Sequence, residues 1–510
     1  MSKTGQAAAA QSLKGFRAQV VAADTMALSA VNRADHALVL ASLDAGILEY
    51  DVIRKWTKDP DSYSSGVTNA AYTIMKRNFA PPSERLKSLI QRERKLPAQL
   101  VDARNNLDNP PRIYTEIALE QIDGNISFFR NDVPAAFTEV KDTLLLKEFK
   151  ATNDSVMAAL ASYKSWMQRE LLPRSKGVFA YGADTYTRAL AANEMITMPL
   201  DQLLQIAEAD RARNETAFIA AARQIDSTKS ADVVHALLEK DHPAPDKLLQ
   251  ATQSALDSIR QFIIEHHIIT IPPSEPARTF ETPPFQRSTT SASMDTPGPF
   301  EPAKLEARYN MTLPDPRWSK AKQEEFMGQW YYALISNVSV HEVYPGHYTQ
   351  FLYGKQFPTD VRKVFGANTN IEGWAHYAEQ MMLDEGFHAG DAKYRLGQLQ
   401  DALLRDVRFI VGIKMHTQGM SVETATRLFE TQAHQPAPVA VSEARRGTSD
   451  ALYGYYTMGK LMILKLRDDY KAKMGSQYSL QNFHDEFIKL GPLPLPLIRQ
   501  AMLGESGKLF

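Results

Sequence analysis

Val340-His341-Glu342-Val343-Tyr344-Pro345-Gly346-His347-Tyr348 is the stretch from which the chain is best read. Its two histidines are separated by a Pro-Gly break, and a glutamate directly follows the first. This is the ligand pattern of zinc hydrolases, where two imidazoles hold the metal and the carboxylate works on water. The usual spacing puts the histidines at i and i+4 on one helix face. Here they are six apart, about 600° of rotation and roughly 120° off-face in a regular helix. Pro345 removes a backbone donor and collides with the carbonyl four residues back, which belongs to His341. Gly346 tolerates unusual dihedrals. Two readings follow: the Pro-Gly pair opens the turn and returns His347 to a metal, or it interrupts a helix carrying two unrelated histidines.

A carboxylate follows 25 residues after His347, in Ile371-Glu372-Gly373-Trp374-Ala375-His376-Tyr377-Ala378-Glu379. Zinc peptidases of the His, His, Glu type take their third ligand from a following helix. His376 shares a helix face with Glu372 and competes for that place on the residues alone. Glu379 and Asp384 are candidates to accept the free N–H of a ligating imidazole. His388 is placed at the surface or beside the ligands, and His266 and His267, in an apolar run, read as structural. Five of the twelve histidines lie between positions 341 and 416, which favours a site there.

Together the two segments resemble a bacterial family known as domain of unknown function 885, marked by H-E-x-x-P-G-H followed by E-G-W-A-x-Y-x-E. The likeness extends upstream to Asn105-Asn106-Leu107 before Pro110-Pro111 and downstream to Tyr456-Thr457-Met458-Gly459, so it covers most of the chain. The family is similar to the gluzincin metallopeptidases, near carboxypeptidase Taq and the angiotensin-converting-enzyme group. The resemblance implies a mainly α, two-lobed helical fold around a central cleft, with a small β element before the metal helix. It implies Zn²⁺ on His341, His347 and Glu372, and a zinc metallopeptidase acting on short peptides, with carboxypeptidase action as one form. In that scheme Glu342 is the general base for the attacking water. Tyr456, in the Y-x-x-G run, meets the oxyanion or else packs. Tyr453, three residues earlier, meets a substrate group or packs. Arg408, His416 and Arg445 match family positions; they bind a substrate carboxylate or are ordinary structural and surface residues. Gly412 and Lys414 depart from the family's Asp and Gly before His416, which weakens the case for that histidine.

Read in order, residues 1–270 are successive helices forming a scaffold lobe, with Leu38, Leu40, Leu43, Ile47 and Leu48 as one apolar stripe. Residues 271–330 are Pro-rich, with eight prolines between 272 and 302. Phe280, Phe285 and Phe300 would anchor this segment, and Ala307–Leu313 reads as a strand whose edge could bind a peptide backbone. Residues 331–510 form the helical catalytic lobe. The metal motif falls on one long helix from Glu324 to Gln350. Ser421 is an N-cap, and Ala451 to Asp469 is a helix bearing the tyrosines.

Composition bounds the rest. In 510 residues, 58 basic and 59 acidic side chains leave a net charge of −1, which gives no footprint for nucleic acid or an anionic membrane. There is no cysteine, so disulfides, thiol catalysis and Cys-ligated metals are excluded. No apolar run approaches the roughly 18 residues of a membrane span. Residues 1–15 are too weakly apolar for a signal peptide, so cytoplasmic and periplasmic or secreted locations both stay open, as does the oligomeric state. Two rival functions remain at this point: an amidase of a non-peptide amide, and a binding protein that lost turnover.

Overall fold

Polar caps and prolines start many of the helices. Asp142 accepts from the amides of Leu144 and Leu145 to open Thr143–Trp166, and Ser421 accepts from Thr424 at 3.2 Å to open Val422–Gln432. Pro82 occupies the first turn of Pro82–Glu93, where a missing N–H costs nothing. The computed structural model describes residues 2–76, 79–273, 276–282, 287, 290–301, 307–505 and 507–510. Phe285 and most of the Pro283–Thr289 stretch lie outside them. The protein is mainly helical, with one small three-stranded sheet just before the metal motif, as expected.

The chain divides into two compact units. The first takes in Gly46–Ala180, and its helices close on a core that includes Val67, Leu86, Leu89, Ile122, Phe129, Phe137, Val156 and Leu160. Glu93 is fully buried beside this core, with the Thr152 hydroxyl donating to it. Burial pushes its carboxyl up to about 7, an effect the hydroxyl only partly offsets.

The second unit takes in Gln19–Ala45, Tyr181–Thr282 and Thr290–Phe510, and it carries every candidate site residue. Six of its helices matter for the site: α1 (Tyr332–Glu342), α2 (His347–Tyr353), α3 (Asn368–Asp384), α4 (Ala392–Thr417), α5 (Ala437–Ser449) and α6 (Tyr455–Met474). Helix Leu200–Ile225 packs along α4, and α3 packs along α6. The expected long helix from Glu324 to Gln350 is three helices. Lys320–Met327 ends in a short tight turn, and Tyr331 is extended at φ −65°, ψ 152°. Burial of the Tyr331 ring against His235 turns the chain there, and the second break is the Pro-Gly turn itself.

The sheet comprises β1 (Arg278–Glu281), β2 (Ala292–Asp295) and β3 (Arg308–Met311) in the order β1-β3-β2, with β1 parallel and β2 antiparallel to β3. The expected strand exists but is central. Both its edges are spent on its neighbours, so it cannot add a substrate strand, and that expectation is corrected. Phe280 is anchored under the Arg308 guanidinium at 3.8 Å, whereas Phe300 is exposed.

Candidate metal centre

The Pro-Gly turn solves the spacing problem by a wide loop. The Gly346 amide donates to the carbonyl of Val340, six residues back, at 3.0 Å, and the Thr349 amide reaches Val343, also six back, at 3.1 Å. Two residues beyond the normal i→i−4 step add about 200° of rotation, which returns His347 to the side of His341. A Cβ at Gly346 would lie 1.8 Å from the His341 carbonyl, so only glycine fits. The Tyr344–Pro345 peptide is cis. The loop is pinned from outside: the Trp374 indole donates to the Pro345 carbonyl at 2.9 Å, and the Ala277 amide donates to the Tyr344 hydroxyl at 2.9 Å.

His341 and His347 then meet with ring centroids 4.8 Å apart, nearly perpendicular. Oε2 of Glu372 lies 3.5 Å from Nε2 of His341 and 3.4 Å from Nε2 of His347. One ligand atom from each of the three residues lies within 4.8 Å of the others, a candidate metal site. His376 does not share it; its ring is fully buried and turned to Glu379, and burial depresses its pKa to about 3.

Glu372 is held in place by its helix. The start of α3 is capped from outside by Glu194, which accepts from the Asn368 and Thr369 amides at 3.2 and 2.9 Å and from the Thr369 hydroxyl at 2.6 Å. Gly373, the next residue after Glu372, faces Gly459 of α6, and a Cβ on Gly373 would come within 2.4 Å of the Gly459 Cα. The two motif glycines are therefore a helix-to-helix backbone contact. It sets Glu372 against the helix that bears Tyr456.

Behind His341 lies a buried charge network. Its Nδ1 donates to Oε1 of Glu379 at 2.6 Å, which leaves Nε2 for a metal. Burial alone would push the imidazole down, but Glu372 and Glu379 outweigh it and lift its pKa to about 10. Glu379 is fully buried; burial opposes its charge, and the Arg405 guanidinium at 3.0 Å, His376 and His341 hold it well below the usual carboxylate range. Deeper still, Lys460 pairs with Asp210 at 2.8 Å, and Asp406 accepts from Asn214 and Thr457. Asp384 takes no part in the network; it pairs with Arg395 at 2.6 Å.

Glu342 and Tyr456 are both half-buried. Glu342 is the last residue of α1. The Tyr309 hydroxyl is raised by burial first and then by the negative charge of Glu342, so β3 backs that carboxylate. The Tyr456 ring is 6.4 Å from the His341 ring, with the guanidinium carbons of Arg405 and Arg408 at 5.5 and 5.3 Å from its centroid. Arg446, bonded to Asp450 at 3.0 Å and to the neighbouring Tyr455 hydroxyl at 3.4 Å, adds a third cation near that ring.

Of the remaining expected residues, Arg408 borders the Tyr456 ring. Arg408 is engaged by both oxygens of Glu443 at 2.7 Å each. His416 is buried, bonded to the Gly447 carbonyl at 2.8 Å, and eleven residues along α4 from Arg405, about 16 Å of rise. Tyr453 precedes α6 rather than sharing its face, and its fully buried ring packs against Gly412 and Gly447. Arg445 is half-buried on α5. The residues missed were Arg405 and Arg446. Arg405 sits on a helix with one turn of spacing from Asp401, and Arg446 adjoins Arg445, but nothing local marked either as facing Tyr456.

A His-His-Glu triangle, with both imidazoles buried on either side of the Pro-Gly turn and the half-buried carboxylate on α3, defines a candidate metalloprotein. The model of the family "Bacterial protein of unknown function (DUF885)" matches residues 1–502, and the chain belongs to that family. Its fold is similar to that of a candidate lipoprotein of unknown function from Shewanella oneidensis, with a TM-score of 0.82, 26% identity, and coverage of 98% of this chain and 93% of the other. It is similar in fold also to a candidate lipoprotein from Colwellia psychrerythraea, with a TM-score of 0.81, 17% identity, and coverage of 97% and 89%. No curated protein matches the chain. Among the described residues, no helix is long and apolar enough to cross a membrane.

Proposed function

We propose that this protein is a zinc-dependent, gluzincin-like metallopeptidase that cleaves amide bonds of short peptides. The observation that carries the reading is the length of the triangle's two carboxylate–imidazole sides. Bonds of about 2.0–2.1 Å in a tetrahedron set ligand atoms ~3.4 Å apart, and Glu372 Oε2 lies 3.5 and 3.4 Å from the two imidazole nitrogens. Two imidazoles and one carboxylate, without cysteine, suit zinc better than calcium or magnesium, which take oxygen.

Zinc, when bound, supplies Lewis acidity that acidifies water and polarises a carbonyl. The chain's own groups do the rest. Glu342 accepts the proton of the attacking water on its carboxylate and passes it to the leaving nitrogen. The Tyr456 hydroxyl donates to the oxyanion as it develops, and the cations Arg405, Arg408 and Arg446 around its ring favour negative charge there. Glu379 holds the His341 tautomer. The test is a library of short peptides incubated with the zinc-loaded protein. Cleavage that stops with a chelator and returns with zinc is the expected result; no cleavage of any peptide by protein loaded with one zinc per chain would overturn the reading.

A further inference from the structure

Beside the metal triangle lies a second feature that the mechanism does not use. A cavity of about 330 Å³ opens between α2, the start of α3 and the loop after β2. That is the size of a small-ligand pocket. Its walls are mostly apolar: Pro299, Phe351, Phe357, Val364 and Ile371 all contribute.

Two of these residues join it to the site. Phe351 stacks on the His347 ring, with centroids 6.0 Å apart and planes 18° from parallel. Ile371 directly precedes Glu372. A group bound at the metal triangle therefore has this cavity as its neighbour.

The polar groups on the wall narrow the occupant. The Arg362 guanidinium is spent on Asp35 and the Leu490 carbonyl, each at 2.7 Å, and Lys363 pairs with Asp360 at 3.0 Å. Neither cation is left to receive an acidic side chain. Gln350 is buried and gives its Nε2 to Asn370 at 2.9 Å, while its Oε1 has no hydrogen-bond partner. That oxygen is closed off from solvent, so Gln350 adds no polar acceptor to the cavity, and the wall stays apolar in character.

We infer that this cavity is the subsite for a bulky apolar side chain flanking the bond to be cut, which makes the substrates peptides with a leucine- or phenylalanine-sized residue at that position. The inference rests on the peptidase reading, and the test separates the two.

Two lining residues can be enlarged as plugs. Val364 is 66% exposed, so Val364→Trp can be carried without loss of the fold. Gly354 has φ −52°, and a Cβ there would meet Pro299 at an ordinary 3.5 Å, so Gly354→Leu grows into the cavity. The peptides Ala-Ala-Ala, Ala-Leu-Ala and Ala-Phe-Ala are compared in kcat/KM with the zinc-loaded proteins. They are compared again in calorimetric binding to Glu342→Gln, with and without each plug. The unplugged protein should prefer Leu or Phe over Ala by on the order of 10–100-fold, the worth of burying such a side chain. Either plug should cut the preference below about threefold with the zinc content unchanged. A preference that survives both plugs, or none in the unplugged protein, would overturn the subsite. A plug-sensitive binding preference without turnover of any peptide would uphold the subsite and overturn the peptidase reading.

Discussion

Glu379 stands 2.6 Å from Nδ1 of His341 and so decides which imidazole nitrogen is free. An ionised carboxylate can only accept, so Nδ1 keeps its proton and Nε2 is the nitrogen left to face Glu372 and a metal. Glu379→Gln should weaken zinc binding by about 10–100-fold, as loss of such a partner typically does. Competition with a zinc chelator reads the change. Unchanged affinity would mean that the contact does not orient the ligand.

Glu342 lies at the end of α1, outside the ligand triangle. Glu342→Gln keeps its size and removes the base. Zinc content should hold at about one per chain while kcat falls by on the order of 10²–10⁴. Wild-type turnover in this variant would remove the proposed mechanism.

Tyr456 is ringed by Arg405, Arg408 and Arg446. Tyr456→Phe takes away only the hydroxyl, so kcat should fall by roughly 10²–10³ with little change in KM. Arg446→Ala should lower kcat in the same direction and by less, since it acts through Tyr456. Unaltered rates in the Phe variant would leave the tyrosine a packing residue.

Gly346 leaves no room for a side chain, with a Cβ 1.8 Å from the His341 carbonyl. Gly346→Ala must open the turn and move His347. Zinc should be lost while helical circular dichroism stays near wild type. Retained zinc would show that the turn can relax around a methyl group.

Glu93 gives a pH dependence far from the metal. Its folded carboxyl titrates near 7, raised by burial from an ordinary 4.5. Between those values the folded state keeps a proton that the unfolded state has released. Its contribution is therefore full below about pH 4.5 and is lost as pH rises through about 7. Glu93→Gln should remove this slope, with the variant gaining up to about 3 kcal/mol over wild type between pH 4.5 and 8. Hydrogen exchange in the helices Pro82–Glu93 and Thr143–Trp166 reads it locally, which two-unit melting would not. Parallel profiles in the two proteins would assign the slope to another group.

The candidate ligands were legible because their chemistry is local. His341, Pro345, Gly346 and His347 lie within one loop, and Glu372 sits in a motif whose glycine and tryptophan now have steric and hydrogen-bonding reasons. What was hidden depends on partners far along the chain. Arg408 meets Glu443, 35 residues on, and Tyr331 is drawn inward to His235, 96 residues back. Strand β3 looked like an edge because nothing local tells how many neighbours a strand has. Tyr453 looked like part of a helix face because Gly454 does not announce which side of it the helix begins.

The contact between Gly373 and Gly459 also limits how this site can move. Two helices touching backbone to backbone cannot slide past each other without first separating, so Glu372 and the α6 turn carrying Tyr456 should travel as one body. Any opening that admits a peptide or releases its fragments must pivot elsewhere. Residues 296–301, after β2, lie outside that clamp, so exchange or relaxation measurements should find millisecond motion there before they find it along α3 or α6.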